Sequence, residues 1–466
     1  MGRLFGTDGI RGKAGYSPLT SRDVYQLGRA AGAVLKEKFP GERCRVLVVR
    51  DTRASGKWLL EKLTQGLLER GIDVFDAGVL STPSVAFLVQ AHRFHSGVVI
   101  SASHNPPEFN GIKFFTSHGR KWPDTWEDLV ESKFRGASAP LAGGRMTSGR
   151  KASGRKKAGG LAGGRRVDAT PFAHDYEDFL VGTLGSDGDF SHLRLAVDCA
   201  HGATSDIAPR VLERLGATIF LIGHKPTGQN INVRCGSQHT DHLARVVKRK
   251  KCHLGIAFDG DGDRVIFVDE KGSVVDGDHI LALLAKTLKK KGQLKKNLVI
   301  ITVMANLGLR KALRTLGIKS IVTPVGDRHV SHAMGLHHAI VGGEQSGHII
   351  LGEYLPTGDG LLTALHVLKT VSEEKKSFST LVHWMKKFPQ VLLNVPVKER
   401  APLEALPQVR KKIERIEKIL GDNGRVLVRY SGTEPLLRIM LEGPNKPKLD
   451  GYAREIADLV VEAVGA

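Results

Sequence analysis

Cysteine is scarce in this chain, with four residues in 466. The four are scattered (Cys44, Cys199, Cys235 and Cys252) and lack the CxxC spacing of a zinc site, which also argues against a disulfide framework. Long apolar runs are missing too. None approaches the length of a membrane span, and the amino terminus lacks the core of a signal peptide. We therefore expect a protein of the cytoplasm without a membrane partner.

Acidic residues are missing between Arg135 and Arg166, where arginine and lysine stand among glycine, alanine and serine. This segment supplies much of the net charge of +21. Its composition offers too little apolar surface to form a core, so we interpret about 136–164 as an insert and expect residues from about 140 to 163 to be mobile, sensitive to protease and dispensable for catalysis. A basic segment can bind RNA through counterion release alone. Because no recognition motif or aromatic interleaving accompanies the charge, no specific nucleic acid is expected.

A unit of strand, loop, helix and strand occurs three times, at 45–75, 195–222 and 298–322, and a glycine ends each helix. Strands that alternate with helices predict parallel or mixed sheets covered by helices. A chain of 466 residues is also too long for a single core. We therefore predict an α/β fold of three similar α/β domains with mixed sheets, followed by a smaller C-terminal α+β domain. The expected domain boundaries are 1–165, 166–270, 271–387 and 388–466.

The segment Asp259–Arg264 alternates three aspartates with two glycines. Carboxylates this close repel one another unless a cation lies between them, and the glycines let the backbone curl so that all three point at one centre. Asp259, Asp261 and Asp263 are therefore candidate ligands of a hard ion such as Mg²⁺. So few protein ligands would leave coordination positions for a phosphate oxygen.

This acidic segment has two other interpretations. Glu270 falls at the twelfth position of an EF-hand calcium loop. However, Arg264 stands where that loop needs glycine, and the flanks 254–258 and 265–268 have the pattern of strands rather than helices. The second interpretation is a solvated acidic hairpin turn. Such a turn needs a single Asp-Gly pair, so three aspartates favour the metal site.

The segment Ser101–Pro106 follows an apolar strand at 97–100. A hydroxyl group at the carboxyl end of a strand is well placed for chemistry in a crevice, and His104 or Asn105 could orient this loop. Lys113 lies shortly after it in the chain. A plain Ser-Asn-Pro turn explains the segment equally well, and a lone lysine is usually solvated.

Two later segments combine charge with hydroxyl groups. Glu344, Ser346 and His348 alternate with small residues, which suits recognition of sugar hydroxyls, although a glycine-rich turn fits equally well. Arg429–Pro435, with Arg438 beyond it, combines guanidinium groups and hydroxyls on a backbone opened by glycine. That is the inventory of a phosphate cradle, and the two flanking arginines favour it over a structural Ser-Gly turn.

Five segments stand in the order found in the α-D-phosphohexomutases: Phe5–Gly12, Ser101–Pro106, Asp259–Arg264, Glu344–His348 and Arg429–Pro435. The chain resembles this family over nearly its whole length. Each motif is moderately specific, and the five in order are highly specific. The amino-acid sequences of these motifs are most similar to those of bacterial members that act on glucosamine phosphates.

The resemblance implies four domains around one central cleft, with one loop from each. It makes Ser103 the phosphoserine, which would hold one Mg²⁺ ion per active site together with Asp259, Asp261 and Asp263. The residues implied around the transferring group are Arg11, His104, Lys113, Arg264 and His348, with Lys113 and His348 as acid–base candidates. The residues implied in substrate binding are Glu344, Ser346, Arg429, Ser431, Gly432, Thr433 and Arg438.

The implied reaction interconverts glucosamine 6-phosphate and glucosamine 1-phosphate, which would supply UDP-N-acetylglucosamine for cell-wall synthesis. Phospho-Ser103 donates to O1, and the resulting 1,6-bisphosphate turns end for end. Its 6-phosphate then restores phospho-Ser103, so a 1,6-bisphosphate sugar is the expected activator. Such chemistry rests on positioning and charge neutralisation. A homodimer is left open, and either a kinase or self-phosphorylation would first load Ser103.

The chain departs from the family pattern in four places: the basic insert, His201 for a usual asparagine, Ala305 for a usual serine and Tyr430 for a usual lysine. None of these is a primary ligand, so they bear on rate and substrate range. Three other functions stay open. They are a phosphomannomutase or phosphoglucomutase, a phosphatase, which would need a second ligand cluster if it used two metals, and a nucleic-acid-binding protein.

Overall fold

The structure is a computed structural model that describes residues 4–6, 8–138, 163–431 and 435–465. The insert predicted at about 136–164 lies almost wholly outside the described residues, so its mobility stays a prediction. The backbone forms two compact units, Met1–Val303 with Ile321–Val382, and Met304–Ser320 with His383–Ala466. Within the described ranges, no helix is both long and apolar enough to cross a membrane.

The first sheet of the larger unit has six strands. In chain order the elements are β1 (Ile10–Lys13), α1 (Ser21–Lys38), β2 (Arg45–Arg50), α2 (Gly56–Glu69), β3 (Asp73–Val79), α3 (Thr82–Ala91), β4 (Ser96–Ile100), β5 (Phe109–Thr116), α4 (Asp124–Ser138) and β6 (Arg166–Asp168). The strand order is β1-β5-β4-β2-β3-β6. Strand β2 is parallel to both of its neighbours, β3 and β4, whereas β5 is antiparallel to β4. Val46–Val49 in β2 are apolar and buried on both faces, as a central parallel strand requires.

The second sheet carries the acidic segment. Its elements are α5 (Phe172–Gly182), β7 (Arg194–Asp198), α6 (Thr204–Arg214), β8 (Thr218–Ile222), α7 (Asp241–Lys250), β9 (Leu254–Phe258), β10 (Val265–Asp269) and β11 (Val274–Val275), with strand order β11-β10-β9-β7-β8. β9 and β10 form an antiparallel hairpin, so the two predicted flanking strands are confirmed. The EF-hand interpretation is wrong, because it requires helices. Glu270 instead accepts hydrogen bonds from Ser379 N at 3.1 Å and Ser379 Oγ at 2.5 Å.

The third sheet carries the segment Glu344–His348. The chain continues through α8 (Gly277–Lys290), β12 (Leu298–Thr302), α9 (Leu307–Thr315), β13 (Lys319–Thr323), α10 (Asp327–His337), β14 (Val341–Gly343), β15 (Ile349–Leu351), α11 (Gly360–Glu374) and α12 (Phe378–Val382). The strand order is β13-β12-β14-β15, with β14 parallel to β12 and antiparallel to β15. The segment is therefore the tight turn between β14 and β15.

The smaller unit is an antiparallel sheet covered by helices. Its elements are β16 (Gln390–Pro396), α13 (Pro407–Leu420), β17 (Arg425–Tyr430), β18 (Leu436–Glu442) and α14 (Lys446–Val464), with strand order β16-β18-β17. This confirms the predicted C-terminal α+β domain. Helix α9 also belongs to this unit. The Glu442 carboxylate accepts hydrogen bonds from Asn306 Nδ2 and Leu307 N, both at 3.0 Å.

Candidate active site

The loop between β9 and β10 brings three carboxylates together. One oxygen each from Asp259, Asp261 and Asp263 lies within 4.8 Å of the other two, and all three side chains are buried. Gly262 adopts the left-handed conformation (φ +74°), and a Cβ there would lie 2.7 Å from the side chain of Thr204. A residue with a side chain is disfavoured on both counts, so this glycine allows the curl that the sequence predicts.

Two oxygens of these carboxylates lack hydrogen-bond partners among the described residues. Asp261 Oδ1 and Asp263 Oδ1 are buried and accept no hydrogen bond from any residue that the structure describes. Burial, followed by the charges of Asp263 and Asp261, raises the pKa of Asp259 well above its usual range. Buried carboxylate oxygens without partners are costly. This oxygen-only, anionic and buried ligand set fits a hard divalent cation.

Ser103 lies directly beside the three carboxylates. It follows the carboxyl end of β4, and its Oγ donates a hydrogen bond of 2.6 Å to Asp259 Oδ2. The residue is buried and has a left-handed backbone (φ +51°), which is uncommon for a residue other than glycine. The metal candidates and the candidate nucleophile therefore form one cluster, although they come from different sheets.

Lys113 lies on β5 and contacts the same cluster. Its Nζ is 3.0 Å from both Asp261 Oδ2 and Asp8 Oδ2, and its side chain is buried. Burial alone would lower the pKa of Lys113, but the charges of Asp261 and Asp8 outweigh it and raise that pKa above its usual range. The ammonium group is therefore held in its charged form.

Asp8 is an anionic centre that the sequence analysis missed. It accepts hydrogen bonds from Arg11 and Lys121, in addition to its ion pair with Lys113, and Lys121 also binds Asp327. Burial would raise the pKa of Asp8, but the charges of Lys113, Lys121 and Arg11 hold it well below its usual range. Arg11 thus belongs to a charge network that is connected through Lys113 to the loop between β9 and β10.

His348 approaches the cluster from the third sheet. Its Nδ1 lies 3.5 Å from Asp263 Oδ2, and Gly358 N donates a hydrogen bond of 3.2 Å to its Nε2. Burial lowers the pKa of His348, but the hydrogen bond and charge of Asp263 outweigh it, so the net shift is upward. The bond from Gly358 places the proton of the neutral ring on Nδ1, facing Asp263.

His104 and Arg264 complete the surroundings of Ser103. His104 Nδ1 lies 3.4 Å from Ser103 Oγ, and burial, followed by the charges of Arg264 and Arg11, lowers the pKa of His104 to about 4. Arg264 N donates to Asp259 Oδ1 at 3.2 Å, and Arg264 Nε lies 3.8 Å from an oxygen of Asp263. A neutral His104 beside Ser103 follows from this arrangement.

The turn between β14 and β15 presents Glu344 and Ser346 differently. Glu344 is buried, and its Oε1 accepts a hydrogen bond of 2.9 Å from Gly326 N, whereas Ser346 is exposed. The turn also contacts the β9–β10 hairpin, because Val265 N donates a hydrogen bond of 3.1 Å to Gly347 O. The sugar-recognition candidates are therefore adjacent to the carboxylate loop.

A cavity of about 390 Å³ lies next to His348 within the larger unit. Its wall includes Lys121, Asp327, Arg328 and His348, and His348 also lies beside Asp263 of the cluster. Ser103 is not part of this wall. Its volume suits a small polar ligand, and of the charge network around Asp8 only Lys121 and Asp327 line it.

The candidate phosphate cradle lies in the smaller unit. Arg429 and Arg438 are directly opposite each other on β17 and β18, and Ser431 is buried at the end of β17. Like charges at directly opposed positions of a sheet are destabilising, and an anion would relieve that repulsion. Gly432 and Thr433 lie outside the described residues, so their roles stay predictions.

Sequence reasoning missed several residues that contact the Ser103 loop or the aspartate loop. Asp51, Arg53 and Asn232 are hydrogen-bonded to the segment that begins at Ser101, and Thr82 donates to Asp261 Oδ2 at 2.7 Å. One signal was available. Asp51 and Arg53 follow β2, which is parallel to β4, so they share a sheet edge with Ser103. Ligands bind at that edge in open α/β sheets.

Four family models match the chain in sequence. They are phosphoglucomutase/phosphomannomutase alpha/beta/alpha domain I at residues 2–140, domain II at 178–272, domain III at 276–388, and the C-terminal domain at 392–459. The chain belongs to the phosphoglucomutase/phosphomannomutase family, and the family predicted from the sequence is thereby confirmed.

Among proteins of this family, the chain is similar to phosphoglucosamine mutases. That of Carboxydothermus hydrogenoformans is 45% identical over 464 residues, covering 99% of both chains. That of Syntrophotalea carbinolica is 43% identical over 467 residues, covering 99% of this chain and 98% of the relative. These values far exceed what shared fold alone requires.

Solved structures agree on the fold. A phosphoglucomutase/phosphomannomutase family protein from Burkholderia thailandensis superposes with a TM-score of 0.80 at 22% identity, covering 99% of this chain and 97% of that one. N-acetylphosphoglucosamine mutase from Aspergillus fumigatus, in complex with GlcNAc-6P and magnesium, has a TM-score of 0.66 at 18% identity, covering 99% and 96%.

Proposed function

We propose that this chain is a phosphohexomutase that interconverts glucosamine 6-phosphate and glucosamine 1-phosphate through a phosphoserine at Ser103. The observation that carries the proposal is the hydrogen bond of 2.6 Å from Ser103 Oγ to Asp259, one of three clustered carboxylates. A hydroxyl group held against a metal-binding cluster is the arrangement that reversible phosphorylation of a serine needs.

Asp259, Asp261 and Asp263, with an oxygen of phospho-Ser103, would hold one Mg²⁺ ion. The two carboxylate oxygens that lack hydrogen-bond partners among the described residues support this assignment. When bound, the ion would supply charge neutralisation for the transferring phosphoryl group. The preference for Mg²⁺ over larger ions rests on its use with phosphate ligands.

The other groups of the site have distinct tasks in the proposal. As the bond between Ser103 Oγ and phosphorus breaks, a bond from phosphorus to the sugar oxygen forms, and the sugar hydroxyl loses its proton. Lys113 is held charged by Asp261 and Asp8, so we assign it charge neutralisation and, as the acid candidate, donation of a proton to Ser103 Oγ as that oxygen leaves phosphorus. His348 is the other acid–base candidate: its Nδ1–H stays on Asp263, and its Nε2 would exchange the hydrogen bond from Gly358 N for the proton of the sugar hydroxyl.

Recognition of the substrate is assigned to two regions. Glu344 and Ser346 would bind the sugar hydroxyls, and Arg429, Ser431, Gly432, Thr433 and Arg438 would bind the phosphate that is not reacting. The full-length similarity to two phosphoglucosamine mutases supports a hexosamine phosphate as substrate. Phosphomannomutase or phosphoglucomutase activity is the alternative within the same site.

A two-metal phosphatase is a weaker candidate. It would need a second ligand cluster about 4 Å from the first metal, and across the described ranges only Asp259, Asp261 and Asp263 form a group of metal-binding dimensions.

The test is a coupled assay for glucosamine 1-phosphate with glucose 1,6-bisphosphate as activator, together with the mass of the peptide that contains Ser103. We expect product and a phosphorylated peptide, with glucosamine 6-phosphate preferred over mannose and glucose 6-phosphates. Steady release of inorganic phosphate would instead indicate a phosphatase. A cytoplasmic location, a homodimer and the kinase or self-phosphorylation that first loads Ser103 remain predictions.

A further inference from the structure

Arg53 is a fully buried arginine for which the proposed mechanism has no use. It lies just after β2, and its side chain and that of its ion-pair partner Asp51 are both 0% exposed. Burying a charged side chain is costly unless it is paired and hydrogen-bonded. The position of this guanidinium therefore calls for a purpose that offsets its desolvation.

All five N–H groups of the Arg53 guanidinium donate hydrogen bonds. Nε donates to Asp51 Oδ2 at 2.9 Å. One terminal nitrogen donates to Pro106 O and to Phe109 O, and the other donates to Ser103 O at 2.9 Å and to Asn105 O at 2.8 Å. Four of the five bonds are thus accepted by backbone carbonyl groups of the loop that begins with Ser103.

A second residue, Asn232, holds two of the same carbonyls. Its Nδ2 donates to Ser103 O at 2.8 Å and to Asn105 O at 3.0 Å. Asn232 belongs to the segment after β8, so it comes from the domain that carries the metal loop. A Cβ at Gly260 would lie 2.6 Å from Ser103 O and 2.8 Å from Asn232 Nδ2, so the metal loop packs directly on this junction.

The amide on the other side of Ser103 is also fixed. Ser103 N donates to Ser101 Oγ at 2.9 Å, and Ser101 Oγ donates to Asp51 Oδ2 at 2.6 Å. Both peptide groups that flank Ser103 are therefore bound to one buried network. This matters because the left-handed backbone of Ser103 (φ +51°) is unfavourable for a residue with a side chain and persists only when its surroundings hold it.

We propose that Arg53 and Asn232 are positioning residues that hold Ser103 in its left-handed conformation, so that Oγ faces the carboxylate cluster and the incoming phosphoryl group. Neither residue needs to contact the sugar. The inference rests on the proposed phosphoserine function of Ser103 and adds what keeps that residue aligned. A lysine at position 53 would keep the charge but would lose the planar fork that spans the four carbonyls.

The test compares three variants with the wild type. Asn232→Gly removes the amide and keeps the left-handed backbone (φ +61°) unstrained, and Arg53→Lys removes the fork. Arg45→Lys is the matched control. Arg45 lies at the other end of β2, and its Nη2 donates to the carbonyls of His92 and Arg93 at 2.7 and 2.8 Å.

The readouts are the single-turnover rate at which glucose 1,6-bisphosphate phosphorylates Ser103, kcat and KM for glucosamine 6-phosphate, and the melting temperature. We expect Asn232→Gly to lower the phosphorylation rate and kcat by about tenfold and Arg53→Lys by about a hundredfold, with KM unchanged within about twofold. Arg45→Lys should lower the melting temperature without changing the phosphorylation rate.

The inference is overturned if Asn232→Gly phosphorylates Ser103 as fast as the wild type. It is also overturned if all three variants, including the Arg45→Lys control, lose phosphorylation rate in the same proportion to their loss of melting temperature. If Arg53→Lys does not fold, Asn232→Gly still decides. A wild type that takes no phosphate on Ser103 would overturn the proposed function itself, which separates the two failures.

Discussion

The Ser103 loop and the Asp259–Asp263 loop are joined by one hydrogen bond, but the protein treats their polar groups in opposite ways. Around Ser103, both flanking peptide groups and every N–H of Arg53 have partners. In the aspartate loop, buried oxygens of Asp261 and Asp263 have no hydrogen-bond partner among the described residues. Under the proposed function, protein contacts would fix the position of Ser103, whereas a cation would complete the hydrogen-bonding and charge requirements of the carboxylate loop.

The variant that should distinguish the roles of the two loops most strongly is Ser103→Ala. It removes the acceptor of the phosphoryl group and one hydrogen bond to Asp259, and it adds no bulk. We expect mutase turnover to be abolished while Mg²⁺ still raises the melting temperature, because the three carboxylates remain. The coupled assay and a thermal melt with and without Mg²⁺ check this. Activity near that of the wild type would contradict the role of Ser103.

Asp261→Asn changes the other loop. Loss of one anionic ligand should weaken Mg²⁺ binding and activity together, by at least the factor of about ten seen when residues around metal ligands are altered. In the wild type, Mg²⁺ at about a hundred times its Kd should stabilise the fold by about 2.7 kcal/mol. This stabilisation should be much smaller in the variant. Equal activity and an equal thermal shift at the same low Mg²⁺ concentration would exclude the metal assignment.

Arg429→Ala tests a site in the smaller unit and should leave the two loops unchanged. A lost charge-assisted hydrogen bond to phosphate costs roughly 1.5–3 kcal/mol, so KM for glucosamine 6-phosphate should rise about ten- to a hundredfold. Phosphorylation of Ser103 by a saturating bisphosphate and the Mg²⁺ dependence should be retained. An unchanged KM would place the phosphate cradle elsewhere in the chain.

Deletion of the basic insert should have the smallest effect. The five segments shared with the α-D-phosphohexomutases all lie outside residues 136–164. The free-energy cost of closing a long surface loop also grows slowly, by about 0.6 kcal/mol for each doubling of its length. A chain that joins Leu141 to Gly164 should keep kcat within about twofold and adsorb less to polyanions. Loss of turnover in a folded deletion variant would assign the insert a positioning role.

The aspartate loop could be predicted from sequence because its information is local. Three aspartates and two glycines lie within six residues, and apolar strands on each side specify a hairpin. The network around Ser103 could not be predicted in this way. Its partners Asp51, Arg53 and Asn232 are 50 or more residues away in the chain, and their convergence depends on how the sheets pack.

Two further features depended on tertiary structure. Asp8 forms ion pairs with both Lys113 and Lys121, although 113 positions separate Asp8 from Lys121. Asp8 lies in the segment Phe5–Gly12, but that segment alone does not indicate which cations Asp8 meets, and Lys121 lies in none of the five segments. Helix α9 is the helix of the third strand-helix-strand unit, at 298–322. However, Glu442 accepts a hydrogen bond from Leu307 N at its amino-terminal end, and the helix belongs to the smaller unit. Periodicity predicts that a helix exists, but it does not specify the unit to which the helix belongs.

The most direct test of the account is the fate of one phosphoryl group. Dephosphorylated enzyme is mixed with one equivalent of glucose 1,6-bisphosphate and Mg²⁺, and the peptide masses and free inorganic phosphate are measured over a single turnover. If Ser103 is the phosphoserine of a mutase, phosphate appears on Ser103 and inorganic phosphate stays at background. Phosphate on another residue, or inorganic phosphate released as fast as the bisphosphate disappears, would contradict the account.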